Sequence, residues 1–417
     1  MTQNVDIVVV GAGSAGLSAA KAIIAQGRTV QVLEAKDRIG GRAVTLDVVP
    51  GMPWDPGAYW LHHSEDNFFA RYAAESGVQF DHMPRFSRMW TPNDNGGAWA
   101  DDAVLAERDA YYDAAFAAID VAGLAGLDIP ASEVVPPHPR FHAMFNSWYA
   151  ALSGAEPEYC STLDQSRYKD GINLRVKSGY GALIAAYARG LPISLSNPVE
   201  RIVWDERGVR VVTAKGTISC RAVIVTASTT VLARGDIQFE PDLPAAYRDA
   251  LERLPLGTAE KVAIAFDRDI FGLPDNSHVQ FEHQGDETIR FQIKPGGHTL
   301  AIGYLAGRFA EQLESHGTKA MTNFAEEYLV KAFGSDIRKA RIGADSSHWR
   351  SDRHIGGGYS YALPGAAGVR DLLNNPINNR IFFAGEACSI PHFGTVNGAN
   401  ESGFAAAEAA IVALQTK

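Results

Sequence analysis

Residues Ile7-Val8-Val9-Val10 run directly into Gly11-Ala12-Gly13-Ser14-Ala15-Gly16, and few local patterns restrict a chain so tightly. Four consecutive β-branched apolar residues are too short for a membrane span and lack the alternation of a half-wet strand, so they read as a strand buried in a parallel sheet. The periodicity then changes: Leu17, Ala20, Ile23 and Ile24 recur at helical spacing up to Gly27, a C-terminal cap, and Val30-Gln31-Val32-Leu33 forms a second strand. In such a βαβ unit Gly11 makes the tight turn, Gly13 lets the backbone approach a pyrophosphate, and Gly16 lets helix and strand pack closely. The free N–H groups at the helix start, Ser14 and Ala15 among them, then face phosphate. Glu34 ends the second strand about 20 residues past the glycines, where a carboxylate accepts ribose hydroxyls and repels a 2′-phosphate. A glycine triplet alone is a weak signal, but strand, turn, helix, strand and acid in order specify a dinucleotide site.

Glu34 is followed by Ala35-Lys36-Asp37-Arg38-Ile39-Gly40-Gly41-Arg42. The second glycine pair, with Gly41 closest to Arg42, lets another backbone stretch reach the pyrophosphate, and Arg42 can pair with its charge bidentately. This run resembles the signature of the flavin-containing amine oxidase and desaturase superfamily, which implies FAD. The end of the chain, Arg380-Ile381-Phe382-Phe383-Ala384-Gly385-Glu386 and Gly394-Thr395-Val396-Asn397-Gly398-Ala399-Asn400-Glu401-Ser402-Gly403, is similar to the family's closing motif. That likeness puts Gly385, Glu386, Thr395, Val396 and Ala399 at the cofactor. It also starts the last helix near Gly398, its positive end stabilising charge on the reduced ring. Segments from Val199 to Ala227 resemble the family's return into the FAD domain, with Val199 at the adenine.

The composition suits a soluble enzyme. A length of 417 residues with 46% hydrophobic content allows two or more folding units. A formal charge of −10 speaks against nucleic acid and anionic membranes as partners. The apolar N-terminal run is short, the C-terminal Ala-rich stretch contains Glu401 and Glu408, and no basic leader is present, so the expected location is the cytoplasm without membrane contact. Cys160, Cys220 and Cys388 suit reduced thiols and offer no zinc spacing. His62-His63 and His138 to His142 lack a supporting carboxylate or cysteine cluster, so no metal is expected. A homodimer is the base-rate expectation.

The expected fold is α/β, in a two-domain α+β arrangement. A Rossmann-like FAD-binding domain takes residues 1–75, 195–250 and 375–417. A substrate domain of mixed antiparallel sheet and helices takes 76–194 and 251–374, including a helical insertion at 101–175. The insertion is rich in Ala and aromatics (Tyr111, Tyr112, Phe116, Phe145, Trp148, Tyr149) and broken by Pro136-Pro137-His138-Pro139. Alternating segments from Lys261 to Phe266, Thr288 to Ile293 and Leu300 to Tyr304 predict an antiparallel sheet, and 318–334 a helix.

Three motifs resemble the amine oxidase side of the superfamily, which includes monoamine and polyamine oxidases. Residues 255–266 are similar to the segment carrying the family's flavin-side lysine, here Lys261. Through a water at flavin N5 it would help the reduced ring react with oxygen, where a fixed cation stabilises developing negative charge. Trp349 to Ser360 resembles the family's Trp segment and Gly-rich turn, placing Trp349 at the cofactor. Gly358 stands where mitochondrial monoamine oxidases carry a cysteine bonded to FAD, so noncovalent FAD is implied. Tyr359 matches one wall of their aromatic cage, while the other wall corresponds to Thr395. The third motif, Trp54-Asp55-Pro56-Gly57-Ala58-Tyr59-Trp60-Leu61-His62, is closer to polyamine oxidases: Gly57, Ala58 and Tyr59 pass the flavin, and Trp60 and His62 line the substrate site. L-amino-acid oxidases place a carboxylate-binding arginine where Trp60 falls, though Arg71, Arg85 or Arg88 could serve.

The expected reaction is hydride loss from the α-carbon of a small amine to flavin N5, imine hydrolysis to an aldehyde or ketone, and reoxidation by O2 to H2O2. The alternatives are desaturation of an apolar ring or polyene, as in relatives of phytoene desaturase or protoporphyrinogen oxidase, and L-amino-acid oxidation. A non-enzymatic FAD-binding protein or chromatin-type demethylase is a third, which extra partner-binding domains would support; 417 residues are expected to leave no room for them beyond the oxidase core.

Overall fold

The computed structural model describes residues 3–82 and 87–415; Arg85 lies outside them. Strand Gln3–Val10 is central to the first sheet, parallel to Val30–Leu33 on one side and to Gly216–Val225 on the other. Ile193–Ser194 extends the sheet beyond Val30–Leu33, and Ile381–Phe383 lies parallel to the last residues of Gly216–Val225. The register sets Val10, Leu33, Ser194, Val225 and Phe383 in one row. The chain segments that leave this row share one edge of the sheet, the carboxyl end where open α/β sheets bind ligands.

The first strand is buried on both faces, which explains its unbroken apolar run. Ile7 and Val9 pack with Leu17 and Ile23 of helix Ser14–Ala25 and with Ala407 and Ile411 of helix Val396–Gln415. Val8 and Val10 pack with Val223, Leu251 and Leu254 on the other side. Each such side chain contributes about 1.5–3 kcal/mol of burial. The first and last helices cross closely: a Cβ at Gly403 would lie 2.2 Å from the Ala15 carbonyl oxygen.

Two boundaries differ from the sequence reading. Helix Tyr180–Tyr187 places Tyr180, Leu183, Ile184 and Tyr187 in the core of the first sheet. The chain therefore returns to that sheet before residue 195, because this short helix has too many apolar positions for a wet face. The last helix begins at Val396, two residues ahead of Gly398.

The second sheet has seven strands, in the order Arg341–Ser346, Ala259–Phe266, Leu300–Ala306, Arg290–Ile293, Ser277–Phe281, Ser87–Thr91 and Ala98–Trp99. The three predicted strands form its middle. Ser277–Phe281 pairs parallel to Ser87–Thr91, an exception in an otherwise antiparallel sheet. One face, with Val262, Ile264 and Phe291, packs on helix Gly317–Phe333 through Met321 and Leu329. The opposite face carries Lys261, Tyr304 and Arg290 in one cross-strand row. The insertion folds as helices Asp102–Leu124 and His142–Ser153, with Tyr111, Tyr112, Phe145 and Tyr149 buried together. Among the described residues no helix is long and apolar enough to cross a membrane.

Candidate functional site

The glycine turn has a different physical reason at each position. Gly11 sits at φ +105, and a Cβ there would lie 2.4 Å from Thr226 Oγ1. At Gly16 a Cβ would lie 1.9 Å from the Gly11 carbonyl oxygen, so helix and strand touch backbone to backbone. Gly13 is the opposite case: nothing lies within 4 Å of its Cβ position, and Gly41 faces it, with a Cβ at 41 falling 3.4 Å from the Gly13 Cα. Gly385, at φ +148, is equally open. Bare backbone facing open space at Gly13 and Gly385, with the Gly41 backbone alongside, is the cradle a pyrophosphate requires.

Glu34 is buried at the row's edge, its carboxylate accepting from Ala12 N at 2.7 Å and Lys36 N at 2.8 Å, with Ala35 between. The Asn197 amide donates to the Glu34 carbonyl at 2.8 Å, which brings buried Val199 to the same end. Arg42 directs Nη1 to Gly358 O and to Glu386 Oε1, the latter at 3.0 Å. Burial alone would raise the Glu386 carboxyl, but the Arg42 and Arg370 guanidiniums and the Ser360 hydroxyl outweigh it and hold it below the usual range. Nη1 is the Arg42 nitrogen engaged among the described residues, so the rest of the fork remains available to an anion.

The two long helices present their N-termini together, because Ser14 Oγ donates to Val396 O at 2.8 Å. Thr395 caps the last helix, accepting from Gly398 N at 2.9 Å and donating to His392 O at 2.7 Å. Its hydroxyl is therefore committed to the cap and its buried side chain gives no second aromatic wall. Ala399 continues that first turn, donating to Thr395 O at 3.1 Å.

Lys261 is buried on the inward face of the second sheet, where a surface lysine would have been the ordinary outcome. Its Nζ donates to Asp55 O at 3.1 Å and Gly57 O at 2.5 Å, and lies 5.0 Å and 5.3 Å from the Tyr59 and Tyr304 ring centroids. Burial pulls the ammonium down to about 8, against the attraction of Asp55. The Gly57 loop is pinned by its surroundings: a Cβ at Gly57 would lie 1.9 Å from Arg42 O, Ala58 N donates to the same oxygen at 3.0 Å, and Trp349 Nε1 donates to Pro56 O at 2.9 Å. Trp60 follows, stacked 6.3 Å from His278. His62 Nδ1 lies 2.9 Å from Asn173 Oδ1, and desolvation pushes its imidazole down to about 4, which keeps it neutral near pH 7. Tyr359 donates its hydroxyl to Ala151 O and packs on Gly394, whose Cβ position is 3.5 Å from the Tyr359 Cβ. At Gly358 a Cβ would come 2.9 Å from the Ala259 Cβ, so this glycine is needed for packing beside the lysine strand. Cys388 is buried and its thiol is pushed up to about 12, unsuited to attack.

Among the other arginines weighed for a carboxylate, Arg71 is exposed and Arg88 pairs in register with Val279, on the sheet face away from Lys261. The sequence reading missed Tyr304 and Arg290, which are visible as a row only once strand register is known. It also missed Arg370, fully buried and bidentate to Asp164 at 2.8 Å and 2.9 Å, which further donates to Ser360 Oγ and Ala387 O. This pair clamps the insertion to the cofactor side. Among the described residues no group of His, Cys, Asp and Glu is placed to hold a metal ion.

A parallel-sheet edge with bare glycines and a buried acid is the arrangement of a dinucleotide-binding protein. The family model for flavin-containing amine oxidoreductases matches residues 14–127 and 137–411, and the chain belongs to that family. Its cofactor is accordingly FAD, and it is an oxidoreductase acting on amines. It is similar to Polyamine oxidase 4 of Oryza sativa subsp. japonica, 28% identical over 96% of this chain and 88% of that protein. It is also 26% identical to Lysine-specific histone demethylase 2 of Homo sapiens, over 96% of this chain and 52% of that one. In fold it matches a redesigned putrescine oxidase (TM-score 0.82, 18% identity, 99% and 100% covered). Cyclohexylamine oxidase from Brevibacterium oxydans IH-35A is a second match (TM-score 0.79, 24% identity, 99% of each).

Proposed function

We propose that this protein oxidises a small amine at its α-carbon and passes the electrons to O2. The observation that carries the reading is Lys261, a buried ammonium held by two backbone carbonyls on the inner face of the second sheet. Gly11, Gly13, Gly16, Ser14, Ala15, Glu34, Gly41, Arg42 and Gly385 would hold FAD, and the fit rests on the open backbone at Gly13 and Gly385. FAD bound there would supply a two-electron acceptor for hydride from the amine and, once reduced, a two-electron donor for reducing O2 to H2O2.

The chain's own part is positioning and exclusion of water. Tyr59 and Tyr304 lie over Lys261 and Trp60 meets Tyr59 edge-on; these rings, with Tyr359, would wall the substrate site and desolvate the amine. Desolvation favours the neutral amine, whose lone pair assists loss of hydride, so no dedicated base is needed. His62, kept neutral, can hydrogen-bond a substrate nitrogen without repelling it. Lys261 offers a fixed positive charge to reduced oxygen, at no cost of reorganisation during the reaction. Lys261 and Tyr359 favour an amine over an apolar ring or polyene.

The purified yellow protein should be mixed anaerobically with alkylamines, aromatic amines, diamines, polyamines and amino acids while the visible flavin band is followed, and air then admitted. Bleaching by an amine, with colour and peroxide returning in air, is expected. A flavin-loaded protein that dithionite reduces but no amine bleaches would overturn the reading.

A further inference from the structure

The sheet face that carries Lys261 carries a second buried cation. Lys261 stands opposite Tyr304, and Tyr304 opposite Arg290. Adjacent strands are about 4.8 Å apart, so the two cationic positions lie about 10 Å apart along one row.

Arg290 is 8% exposed. Its Nη2 donates to Met144 O at 3.0 Å and its guanidinium lies 4.4 Å from the Trp148 ring centroid. Nη1 is buried without an acceptor in full hydrogen-bond geometry; its polar neighbour is the Tyr112 hydroxyl, a neutral group that brings no counter-charge. Among the described residues the other buried arginines are all matched: Arg370 by Asp164, Arg175 by Asp81, Arg108 by Asp109. Among the described residues no carboxylate pairs with Arg290. A buried guanidinium without a counter-ion is strongly unfavourable, and such sites persist where an anion completes them. Tyr112 and Trp148, the rings beside Arg290, also line an open groove of about 220 Å³ together with Phe116, Arg108 and Gln280, with Arg290 behind its wall. The acids at that groove, Asp109 and Asp113, are exposed, and Asp109 is taken up by Arg108.

We propose that Arg290 is a specificity-determining subsite for a carboxylate at the far end of the amine, so that the substrate class is amino acids whose carboxylate is remote from the oxidised carbon. This inference rests on the amine oxidase reading. A guanidinium fork binds a carboxylate bidentately. The separation from Lys261 suits an ω-amino acid better than an α-amino acid, and a diamine or polyamine would bring its second ammonium against a buried cation. Burial pulls Arg290 down to about 10, which leaves it charged at neutral pH.

The test uses the flavin-loaded protein with ω-amino acids of four to six carbons and with n-alkylamines and α,ω-diamines of the same lengths. The wild type should be reduced at least about tenfold more efficiently by the acids. Arg290→Gln should lower kcat/KM for the acids about a hundredfold and leave the alkylamines within about threefold, with partial rescue in Arg290→Lys. Linear alkanoates should perturb the bound-flavin spectrum of the wild type saturably and compete with the acids, and Arg290→Gln should abolish this. A wild type that prefers diamines or alkylamines, an Arg290→Gln loss equal for all substrates, or no alkanoate binding to the wild type would each overturn the subsite. Should Arg290→Gln not fold, alkanoate binding to the wild type decides. If no amine of any kind reduces the flavin, it is the amine oxidase reading that fails, and alkanoate binding still judges the subsite.

Discussion

Replacing Lys261 with Met keeps the length of the side chain and removes its charge. Nζ is buried, donates to Asp55 O and Gly57 O, and is pulled down to about 8. At pH 7 about nine tenths of the protein therefore carries the ammonium, and at pH 8 about half. A preorganised charge or donor at the point where negative charge develops is worth about 10²–10³ in rate. Reoxidation of the reduced protein by O2 should slow by that factor in Lys261→Met, while anaerobic reduction by amine changes by less than about threefold. Stopped-flow spectroscopy of the two half-reactions separates them. In the wild type the oxygen rate should decline as pH rises through about 8, and in the variant it should be flat. The sign for stability is opposite. The folded value lies below the ordinary 10.5, so between these values the unfolded chain binds the extra proton. Wild-type stability in urea should rise across that window by about 3 kcal/mol in the flavin-free protein, a rise missing from Lys261→Met. Equal slowing of both half-reactions, slowing of neither, or a pH profile that survives the substitution would refute the reasoning.

Gly13→Ala should leave the flavin-free protein within about 1 kcal/mol of wild type, because its Cβ meets open space. It should weaken FAD binding at least about tenfold in a fluorescence titration, since that space is where the pyrophosphate backbone contact is made. Gly16→Ala, with a Cβ 1.9 Å from Gly11 O, should instead cost about 1–3 kcal/mol of urea stability or abolish soluble protein. Asp164→Asn leaves the fully buried Arg370 without its counter-charge and should cost about 3–5 kcal/mol, part of it recovered when Arg370→Met is added. A loss below about 1 kcal/mol in the single variant would show that the pair is not a clamp.

What was legible in the sequence was what local spacing dictates. The glycine turn, the acid at the second strand and the apolar run at Val8 each answer to neighbours within one βαβ unit, and the structure places them where that unit requires. The middle strands of the second sheet were legible because alternation marks a sheet with one apolar and one functional face. Three of its other strands were not, because Ala98–Trp99 is too short to show a period and Ser87–Thr91 and Ser277–Phe281 carry polar residues on both sides. The early return of helix Tyr180–Tyr187 to the first sheet was hidden for another reason. Periodicity marks a helix but does not say which of two cores will receive it when most of its positions are apolar.

Long-range pairing is the information the chain order conceals, and it decides the site. Lys261 and Arg290 are 29 residues apart, and each alone reads as a lysine or arginine in a strand. Register makes them two cations on one buried face, with Tyr304 between them. Their surroundings then assign them different work. Lys261 finds two backbone carbonyls, neutral acceptors that hold the ammonium in place and leave its charge uncancelled. Arg290 has one carbonyl, two aromatic neighbours and, among the described residues, no carboxylate. A charge that is held suits a group that must stay in position while oxygen is reduced. A charge that is short of a partner suits a group whose partner arrives with the substrate.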